Sequence, residues 1–323
     1  MMITGFIIGW KRIKNDTNDV NIKVSVIISI RNEGANIKKL VQSLRNQNYN
    51  KDLYDVIIVN DHSDDNSWEL LCNEKLNWPH LQLLDMDVNE FGKKKALSKA
   101  INFSNGEVIL TSDADCVFSP EWIKSMTSCF INDNINLASG PVSFNPQSTF
   151  FNQIQTLEFL SLIASGAAAI GLNQPIFCNG ANLAYRRKVF LEVNNYHDND
   201  IASGDDVFLL HMVKKVYPGS ILFIKNFEAI VMTDSISTFR KFINQRIRWV
   251  SKSSSYKDAY TIYTSILVFL VNSLLILLLF LSFYDNDFIN VFIFFILIKF
   301  VLDLIFFKSI LVFFKRLDLI KWV

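Results

Sequence analysis

Two carboxylates, Asp113 and Asp115, stand one residue apart directly after the apolar run Val108-Ile-Leu-Thr111. Alternate acids on a turn that follows a buried strand can hold a hard divalent cation, because Mg²⁺ and Mn²⁺ bridge protein carboxylates to substrate phosphates. Asp-x-Asp is also a common capped turn, and that interpretation needs no ligand. The pattern therefore predicts a candidate metal site at the end of a strand.

A second acidic loop runs from Asp61 to Ser67, after the strand-like run Val56-Ile-Ile-Val59. An EF-hand would need glycine at the sixth place and glutamate at the twelfth, but Asn66 and Cys72 stand there, which excludes that kind of calcium site. Caps of the following helix account for most of the loop. Asp61 differs, because it stands at the strand end where a ligand of a parallel sheet binds.

Two further acids, Asp205 and Asp206, precede a helical pattern that begins at Val207. The helix dipole favours acids at a helix start, so these residues need no function to explain them. A carboxylate beside a bound diphosphate can equally serve as the general base for an incoming hydroxyl group. Both interpretations stay open at this point.

Gln245, Arg248 and Trp249 lie on a basic segment that precedes the apolar C-terminal region. A surface helix held against anionic lipid explains such a segment without any catalytic role. In the functional alternative, Arg248 meets a leaving phosphate group and Trp249 offers a flat face to a sugar.

The elements that must position these residues alternate between strand and helix. Apolar runs suited to buried strands recur at 23–30, 56–59, 81–84 and 108–111. Helical patterns separate them, which predicts a parallel sheet with right-handed crossovers. Arg31, Asp61 and Asp113 each follow the carboxyl end of a predicted strand, so one ligand can meet all three.

Two apolar segments near the C-terminus, 262–283 and 288–307, are long enough to cross roughly 30 Å of hydrocarbon. The second carries Lys299 and Asp303, four residues apart and so on one helical face. The link at 284–287 has two acids and no Lys or Arg, whereas basic residues flank the pair on both sides. The positive-inside rule therefore places both ends of this hairpin, and the domain before it, in the cytoplasm.

The remaining composition narrows the class of protein. A net charge of +1 over 323 residues gives no field that would attract nucleic acid. Four cysteines and four histidines are scattered without a zinc-binding spacing, as expected of reduced thiols in a cytosolic domain. The apolar segment Met1–Trp10 is too short to span a bilayer, and we interpret it as an interfacial anchor or the stub of a helix.

Together these segments resemble family two glycosyltransferases, which have the α/β GT-A fold of nucleotide-diphospho-sugar transferases, a Rossmann-like and mostly parallel sheet. The resemblance runs along nearly the whole chain. Its motifs are, in order, Val24 to Glu33, Asp61-x-Ser63-x-Asp65-x-Ser67, Asp113-x-Asp115, Asp205-Asp206 and Gln245-x-x-Arg248-Trp249. One such motif would be weak, but all of them in order are specific.

The resemblance implies a role for each matching position. The nucleotide sugar would be bound by Arg31, Glu33, Asp61, Lys94 and Asp113. A divalent metal, Mg²⁺ or Mn²⁺, would be held on the diphosphate by Asp113 and Asp115. The catalytic base would be Asp206, with Asp205 as the alternative because glutamate is common at that position. The acceptor and the diphosphate would meet Asn179, Gly180, Gln245, Arg248 and Trp249.

The sequence thus predicts an inverting glycosyltransferase at the cytoplasmic face of the cell membrane. It would move a sugar from a nucleotide-diphosphate sugar, expected to be a UDP-sugar, to a lipid-linked or glycolipid acceptor. The expected domains are a membrane-proximal segment at 1–22, a GT-A domain at 23–237, an amphipathic interfacial helix at 238–258 and membrane helices with a basic tail at 259–323.

Three alternatives remain. A processive polysaccharide synthase would have the same site, although such synthases usually have more than two spanning helices. A sugar nucleotidyltransferase would release pyrophosphate, and the Gln-x-x-Arg-Trp helix argues against it. An inactive membrane scaffold would have lost at least one of the acids, which are all present.

Overall fold

Short aliphatic runs form buried strands, as the sequence predicts. The computed structural model describes residues 2–14, 18–195, 206–253 and 255–323. Its strands are β1 Val24–Ile30, β2 Tyr54–Asn60, β3 Leu81–Asp85, β4 Val108–Asp113, β5 Leu137–Ser139, β6 Val142–Phe144, β7 Leu183–Arg186, β8 Ile221–Phe223 and β9 Val231–Thr233.

The helices follow the periodic apolar patterns between and after these strands. They are α1 Met2–Arg12, α2 Gly34–Arg45, α3 Ser67–Leu76, α4 Lys93–Phe103, α5 Trp122–Thr127, α6 Phe150–Gly171, α7 Arg187–Asn195, α8 Asp206–Val216, α9 Phe239–Ser253, α10 Ala259–Leu281 and α11 Asp287–Phe313. In α2, Ile37, Leu40, Val41 and Leu44 are buried, because the i, i+3, i+4, i+7 spacing places them on one face.

The described strands form a seven-stranded sheet in the order β3-β2-β1-β4-β7-β5-β8, beside a two-stranded pair of β6 and β9. β1 runs parallel to β2 and β4, and β2 runs parallel to β3. β7 is antiparallel to both β4 and β5. The mostly parallel sheet confirms the predicted fold class, with one antiparallel strand that the sequence did not reveal.

The strand register aligns the ends that carry polar residues. Ile30 of β1 pairs with Asn60 of β2, and Ser29 pairs with Asp113 of β4. Because parallel strands end at the same edge of a sheet, the loops that follow β1, β2 and β4 lie side by side there.

The chain divides into two compact units, which we name the sheet unit and the helical unit. The sheet unit is Ile13–Ser148 with Phe177–Ser235, and the helical unit is Met1–Arg12, Thr149–Ile176 and Ile236–Val323. This division differs from the continuous 23–237 domain expected from the sequence. The difference is α6, which packs with α1 and α11 in the helical unit.

In the helical unit α1 is held by close contacts with α6 and α11. Trp10 is 2% exposed, and its ring lies edge-on to that of Phe313, with centroids 5.6 Å apart. A side chain at Gly9 would meet the carbonyl oxygen of Ala168 at 2.1 Å, so the absence of a Cβ allows α1 and α6 to approach. Met1–Trp10 was expected to be an anchor or a helix stub, and its described part, Met2–Trp10, forms most of a packed helix.

Three of the described helices are long and apolar enough to cross a membrane, namely α6, α10 and α11. α10 begins before the predicted span 262–283 and ends two residues before that span does. α11 contains the whole of the predicted span 288–307 and extends beyond it at both ends. Lys299 and Asp303 form an ion pair along α11, as their four-residue spacing predicts. The sequence did not identify α6 as a candidate, and two thirds of its apolar stretch is buried inside the protein.

Candidate active site

The loop after β1 is fastened to the acidic loop after β2. The backbone N–H of Glu33 donates to Ser67 Oγ at 2.7 Å, and that of Gly34 donates to Asp65 Oδ2 at 3.0 Å. Asp65 Oδ1 also accepts from the Ser67 N–H, at 2.9 Å. Only the Asp65–Ser67 contact lies at the start of α3, whose N-cap Asn66 makes no side-chain cap hydrogen bond; the other contacts fasten the loop that carries Arg31 and Glu33.

Asp61 lies at the end of β2, only 5% exposed. Its two carboxylate oxygens accept the N–H of Gly92 at 3.1 and 3.0 Å, and His62 Nδ1 lies 3.3 Å from Oδ1. His62 itself stacks on Phe91, with ring centroids 4.3 Å apart. The residue expected to bind the nucleotide base therefore also anchors the loop that enters α4, which no sequence motif indicated.

The first residue of α4, Lys93, forms an ion pair with Asp113 at the end of β4. Desolvation lowers the pKa of the Lys93 ammonium, but Asp113, and after it Asp206, raise that pKa by more. Lys93 is therefore held as a cation by Asp113, and it also feels the charge of Asp206, an acid that the sequence singled out separately. Lys94, the residue of this helix start expected to bind the donor, is half-buried beside it.

Asp115 has different surroundings from Asp113, although only one residue separates them. Its side chain is exposed, and Oδ2 accepts a hydrogen bond from the Thr233 hydroxyl group of β9 at 2.9 Å. Burial raises the pKa of Glu33, and the charges of Asp115 and Asp113 raise it further. Three acids from two loops thus act on one another at this edge of the sheet.

Asp206 is the first residue of α8, and its carboxylate is oriented by two backbone N–H groups. Gly180 donates to Oδ2 at 2.5 Å and Val207 donates to Oδ1 at 3.0 Å. A Cβ at Gly180 would lie 3.1 Å from Oδ2, so glycine permits this close approach. Asp205, the alternative base, lies outside the described residues.

The segment Asn179–Asn182 connects Asp206 to the sheet. Asn179 Oδ1 accepts the N–H of Ala181, whose carbonyl oxygen accepts from Ser112 Oγ of β4 at 2.6 Å. Buried Asn182 donates to two backbone carbonyl groups and accepts from Trp122 Nε1 at 3.0 Å. This network holds Gly180, and with it Asp206, close to the Asp113 end of β4.

The donor set fits a divalent metal that is shared with phosphate. Among the residues that the structure describes, no three or more His, Cys, Asp or Glu side chains are arranged to hold a metal ion. The candidate ligands are the two carboxylates of Asp113 and Asp115, which belong to one turn. Mg²⁺ is usually bound through one or two carboxylates together with substrate phosphates, so this pair is the expected kind of site.

The Gln-x-x-Arg-Trp motif belongs to the helical unit, where it lies on α9. Gln245 and Trp249 are half-buried and Arg248 is exposed. The ring of Trp249 packs against Phe159 of α6, with centroids 6.4 Å apart. Arg246, which the motif leaves unspecified, contacts Gln245, Trp249 and Glu158, and sequence reasoning missed it.

A mostly parallel sheet with carboxylates and a lysine at its carboxyl edge is the arrangement expected of the GT-A fold. Residues 25–193, more than half of the chain, match the family model described as Glycosyl transferase family 2. The chain belongs to that family.

Two curated relatives have related sequences over part of their length. Glycosyltransferase AglE of Haloferax volcanii is 26% identical over 182 residues, which are 56% of this chain and 58% of AglE. The poly-beta-1,6-N-acetyl-D-glucosamine synthase of Staphylococcus epidermidis is 26% identical over 183 residues, 56% of this chain and 43% of the synthase. The matches thus span about half of each relative.

A solved structure among the similar ones illustrates the shared fold. It is the mannosyltransferase PcManGT from Pyrobaculum calidifontis, in complex with GDP-Man and Mn²⁺. The TM-score is 0.56 at 16% identity, and the superposition covers 77% of this chain and 72% of PcManGT. This likeness supports the GT-A fold.

Proposed function

We propose that this chain is an inverting glycosyltransferase that uses a nucleotide-diphosphate sugar and a divalent metal. The observation that carries the proposal is the cluster in which Lys93 pairs with Asp113 and interacts with Asp206. It combines a cation for a diphosphate with a carboxylate for an acceptor hydroxyl group, at the sheet edge where GT-A ligands bind.

Asp113 and Asp115 would hold Mg²⁺ or Mn²⁺, which when bound neutralises charge on the departing diphosphate. The exposed carboxylate of Asp115 is suited to this, since a ligand has to share the ion with solvent-accessible phosphates. Lys93 adds a positive charge on the side of Asp113. Both effects stabilise charge that develops on the leaving group in the transition state.

Asp206 is the proposed base. It takes the proton of the acceptor hydroxyl group while that oxygen bonds to the anomeric carbon and the bond from that carbon to the diphosphate oxygen breaks. One in-line displacement inverts the anomeric centre and releases the nucleoside diphosphate. The N–H groups of Gly180 and Val207 hold the carboxylate in one orientation for this step.

The donor base is proposed to lie near Asp61, with Arg31 and Glu33 lining the same pocket. The Gly92 N–H that now occupies the Asp61 carboxylate has the same donor chemistry as an imide N–H of uracil. A uridine base would therefore share or replace that hydrogen bond. We propose a UDP-sugar as the donor.

The direct test is transfer and hydrolysis by the purified full-length protein with a panel of UDP, GDP, CDP and dTDP sugars, with Mn²⁺ and with chelator. The proposal expects metal-dependent release of a nucleoside diphosphate from at least one donor, and an inverted anomeric configuration in the product. Release of pyrophosphate from a nucleoside triphosphate and a sugar-1-phosphate would instead identify a nucleotidyltransferase.

The proposed acceptor is a lipid-linked sugar or a glycolipid at the membrane face. α9 ends at Ser253 and α10 begins at Ala259, so the motif helix leads directly into a candidate membrane span. Four apolar side chains of α9 are exposed along one stripe: Phe239, Ile243, Ile247 and Val250. A stripe of this kind beside basic residues is typical of a helix that lies in the membrane interface.

To test the acceptor, transfer to a lipid-linked sugar in membranes is compared with transfer to the same sugar freed of its lipid. We expect a clear preference for the lipid-linked form, because confinement to one surface raises the effective concentration of the acceptor. Equal efficiency for the two acceptors in the full-length protein would contradict the proposal.

The proposed cytoplasmic orientation has its own test. In a background without the exposed native thiol of Cys72, a cysteine at Asn286 should react with an impermeant thiol reagent outside intact cells. A cysteine at Val323 should not react. The opposite labelling pattern would refute the orientation.

A processive polysaccharide synthase is the second candidate, favoured by the similarity to a poly-beta-1,6-N-acetyl-D-glucosamine synthase. The two functions differ in product length. A single added sugar under excess donor supports the transferase, and a ladder of longer products supports the synthase.

A further inference from the structure

Arg246 occupies an unspecified position inside Gln245-x-x-Arg248-Trp249, and its guanidinium group contacts two members of that motif. Nη1 donates to Gln245 Oε1 at 2.6 Å. The guanidinium carbon lies 4.2 Å from the ring centroid of Trp249 and 4.5 Å from that of Phe242. Arg246 therefore contacts the amide and the indole that the motif presents.

The same guanidinium group is fixed by Glu158 of α6. Nε donates to Glu158 Oε1 at 2.8 Å, and Nη2 pairs with Oε2, so the two groups form a fork. The Arg246 side chain is 16% exposed, which reduces the screening that weakens surface ion pairs. Lysine could not replace this arrangement, because an ammonium group is a point charge without a planar fork or a stacking face.

Trp249 has a second support on α6, since Phe159 follows Glu158 and its ring lies 6.4 Å from the indole. α9 is thus seated through one face, formed by Phe242, Arg246 and Trp249 at spacings of four and three residues. The stripe of exposed apolar residues is on a neighbouring face of α9. Phe239 of the stripe also lies near Phe151 of α6, with ring centroids 6.3 Å apart, whereas the contacts with the motif are made by Arg246.

We propose that Arg246, held by Glu158, is a positioning residue that sets the orientation of Gln245 and Trp249 for the acceptor. This inference rests on the proposed function for its kinetic consequence, because it assumes that the motif serves the acceptor. Its structural part, the seating of Trp249, can be measured without any activity.

The test uses Arg246→Lys and, from the other side of the pair, Glu158→Gln in the full-length protein in lipid nanodiscs. Each variant should lower kcat/KM for the acceptor by about tenfold to a hundredfold, the usual effect of a small misplacement of a substrate-positioning group. The dissociation constant of the donor should stay within twofold.

Arg316→Lys is the matched control. Arg316 forms the same fork with Asp318, with Nε to Oδ1 at 3.0 Å and Nη2 to Oδ2 at 3.1 Å, and it lies in the same helical unit. It has no described contact with the motif. Acceptor kinetics of Arg316→Lys should equal those of the natural protein. That result would show that loss of an arginine–carboxylate fork matters only where the fork contacts the motif.

Tryptophan fluorescence supplies the readout that is independent of activity. The chain has six tryptophans, so the Trp249 contribution is obtained by subtracting the Trp249→Phe spectrum in each background. Arg246→Lys and Glu158→Gln should shift that contribution and increase its quenching by acrylamide, whereas Arg316→Lys should not.

An unchanged Trp249 signal in both variants would overturn the inference, whatever the kinetics. A changed Trp249 signal with acceptor kcat/KM within twofold of the natural value would also overturn it. The orientation of Trp249 would then have no effect on use of the acceptor. If the natural protein transfers no sugar from any nucleotide donor, the proposed function fails, while the fluorescence result still decides whether Arg246 seats Trp249.

Discussion

Replacement of Asp206 by asparagine is the sharpest test of the proposed base. The substitution keeps the shape of the side chain and removes its charge. In the structure two backbone N–H groups, from Gly180 and Val207, point at the two carboxylate oxygens. An amide offers one acceptor oxygen, so one of those N–H groups then faces an NH₂ group.

The structural cost of this mismatch is modest compared with the catalytic loss. A donor left without its acceptor costs about 1–3 kcal/mol, which a protein with about 5–15 kcal/mol of stability survives. Loss of a general base lowers a rate by about 10²–10⁴, equivalent to about 2.7–5.4 kcal/mol at 1.36 kcal/mol per tenfold change. Asp206→Asn should therefore remain folded, bind the donor within a few-fold, and transfer a hundredfold or more slowly.

The assay combines a thermal unfolding curve, calorimetric titration with donor and Mn²⁺, and a steady-state transfer rate for each variant. Asp205→Asn is the matched control and should retain most of the transfer rate. Transfer by Asp206→Asn within threefold of the natural rate, at equal donor affinity, would refute the assignment. The hundredfold loss in Asp205→Asn instead would show that the pair is reversed.

Three more substitutions test the remainder of the site. Asp115→Asn should abolish metal-dependent donor binding, because a neutral amide is a poor ligand for a hard cation; calorimetric affinity unchanged from the natural protein would contradict this. Burial and nearby acids raise the pKa of Glu33 above its ordinary 4.5, so the folded state binds this proton more tightly and the free energy of unfolding falls as pH rises through that window. Glu33→Gln should then gain stability relative to the natural protein between about pH 4 and pH 7, as measured by denaturant midpoints; a constant difference would exclude the raised pKa. Asp61→Asn should reduce the preference for UDP over CDP in competition binding, since an amide can donate to the cytosine ring nitrogen, and an equal loss for both would mean that Asp61 acts only through Gly92.

Strands and helices of the sheet unit were predictable because their signals are local. The β-branched run at β1 and the bounds of α4, Lys93–Phe103, follow from side chains a few residues apart. The strand ends also follow, which is why Asp61 and Asp113 stand where ligands of a parallel sheet bind. The side chains that lie next to those strand ends are set by contacts between segments that are far apart in the chain.

β7 and α6 show what local patterns cannot provide. β7 is four residues long and antiparallel, and it enters the sheet between β4 and β5 through pairing with residues 44 to 78 positions away in the chain. α6 contains polar residues such as Gln155 and Glu158 within an apolar helix. Only its packing with α1 and α11 assigns it to the helical unit, so the sequence placed it inside a continuous catalytic domain.

The two acids of Asp113-x-Asp115 are equivalent in sequence, and their surroundings divide their roles. Asp113 is paired with Lys93, which lies 20 residues earlier and reaches it because α4 begins beside the end of β4. Asp115 keeps an exposed carboxylate steadied by the Thr233 hydroxyl group, 118 residues away. A carboxylate already neutralised by an ammonium group attracts a cation less than an exposed one does. The motif alone therefore predicts a metal site, and the two partners favour Asp115 over Asp113 as the principal ligand of the proposed metal.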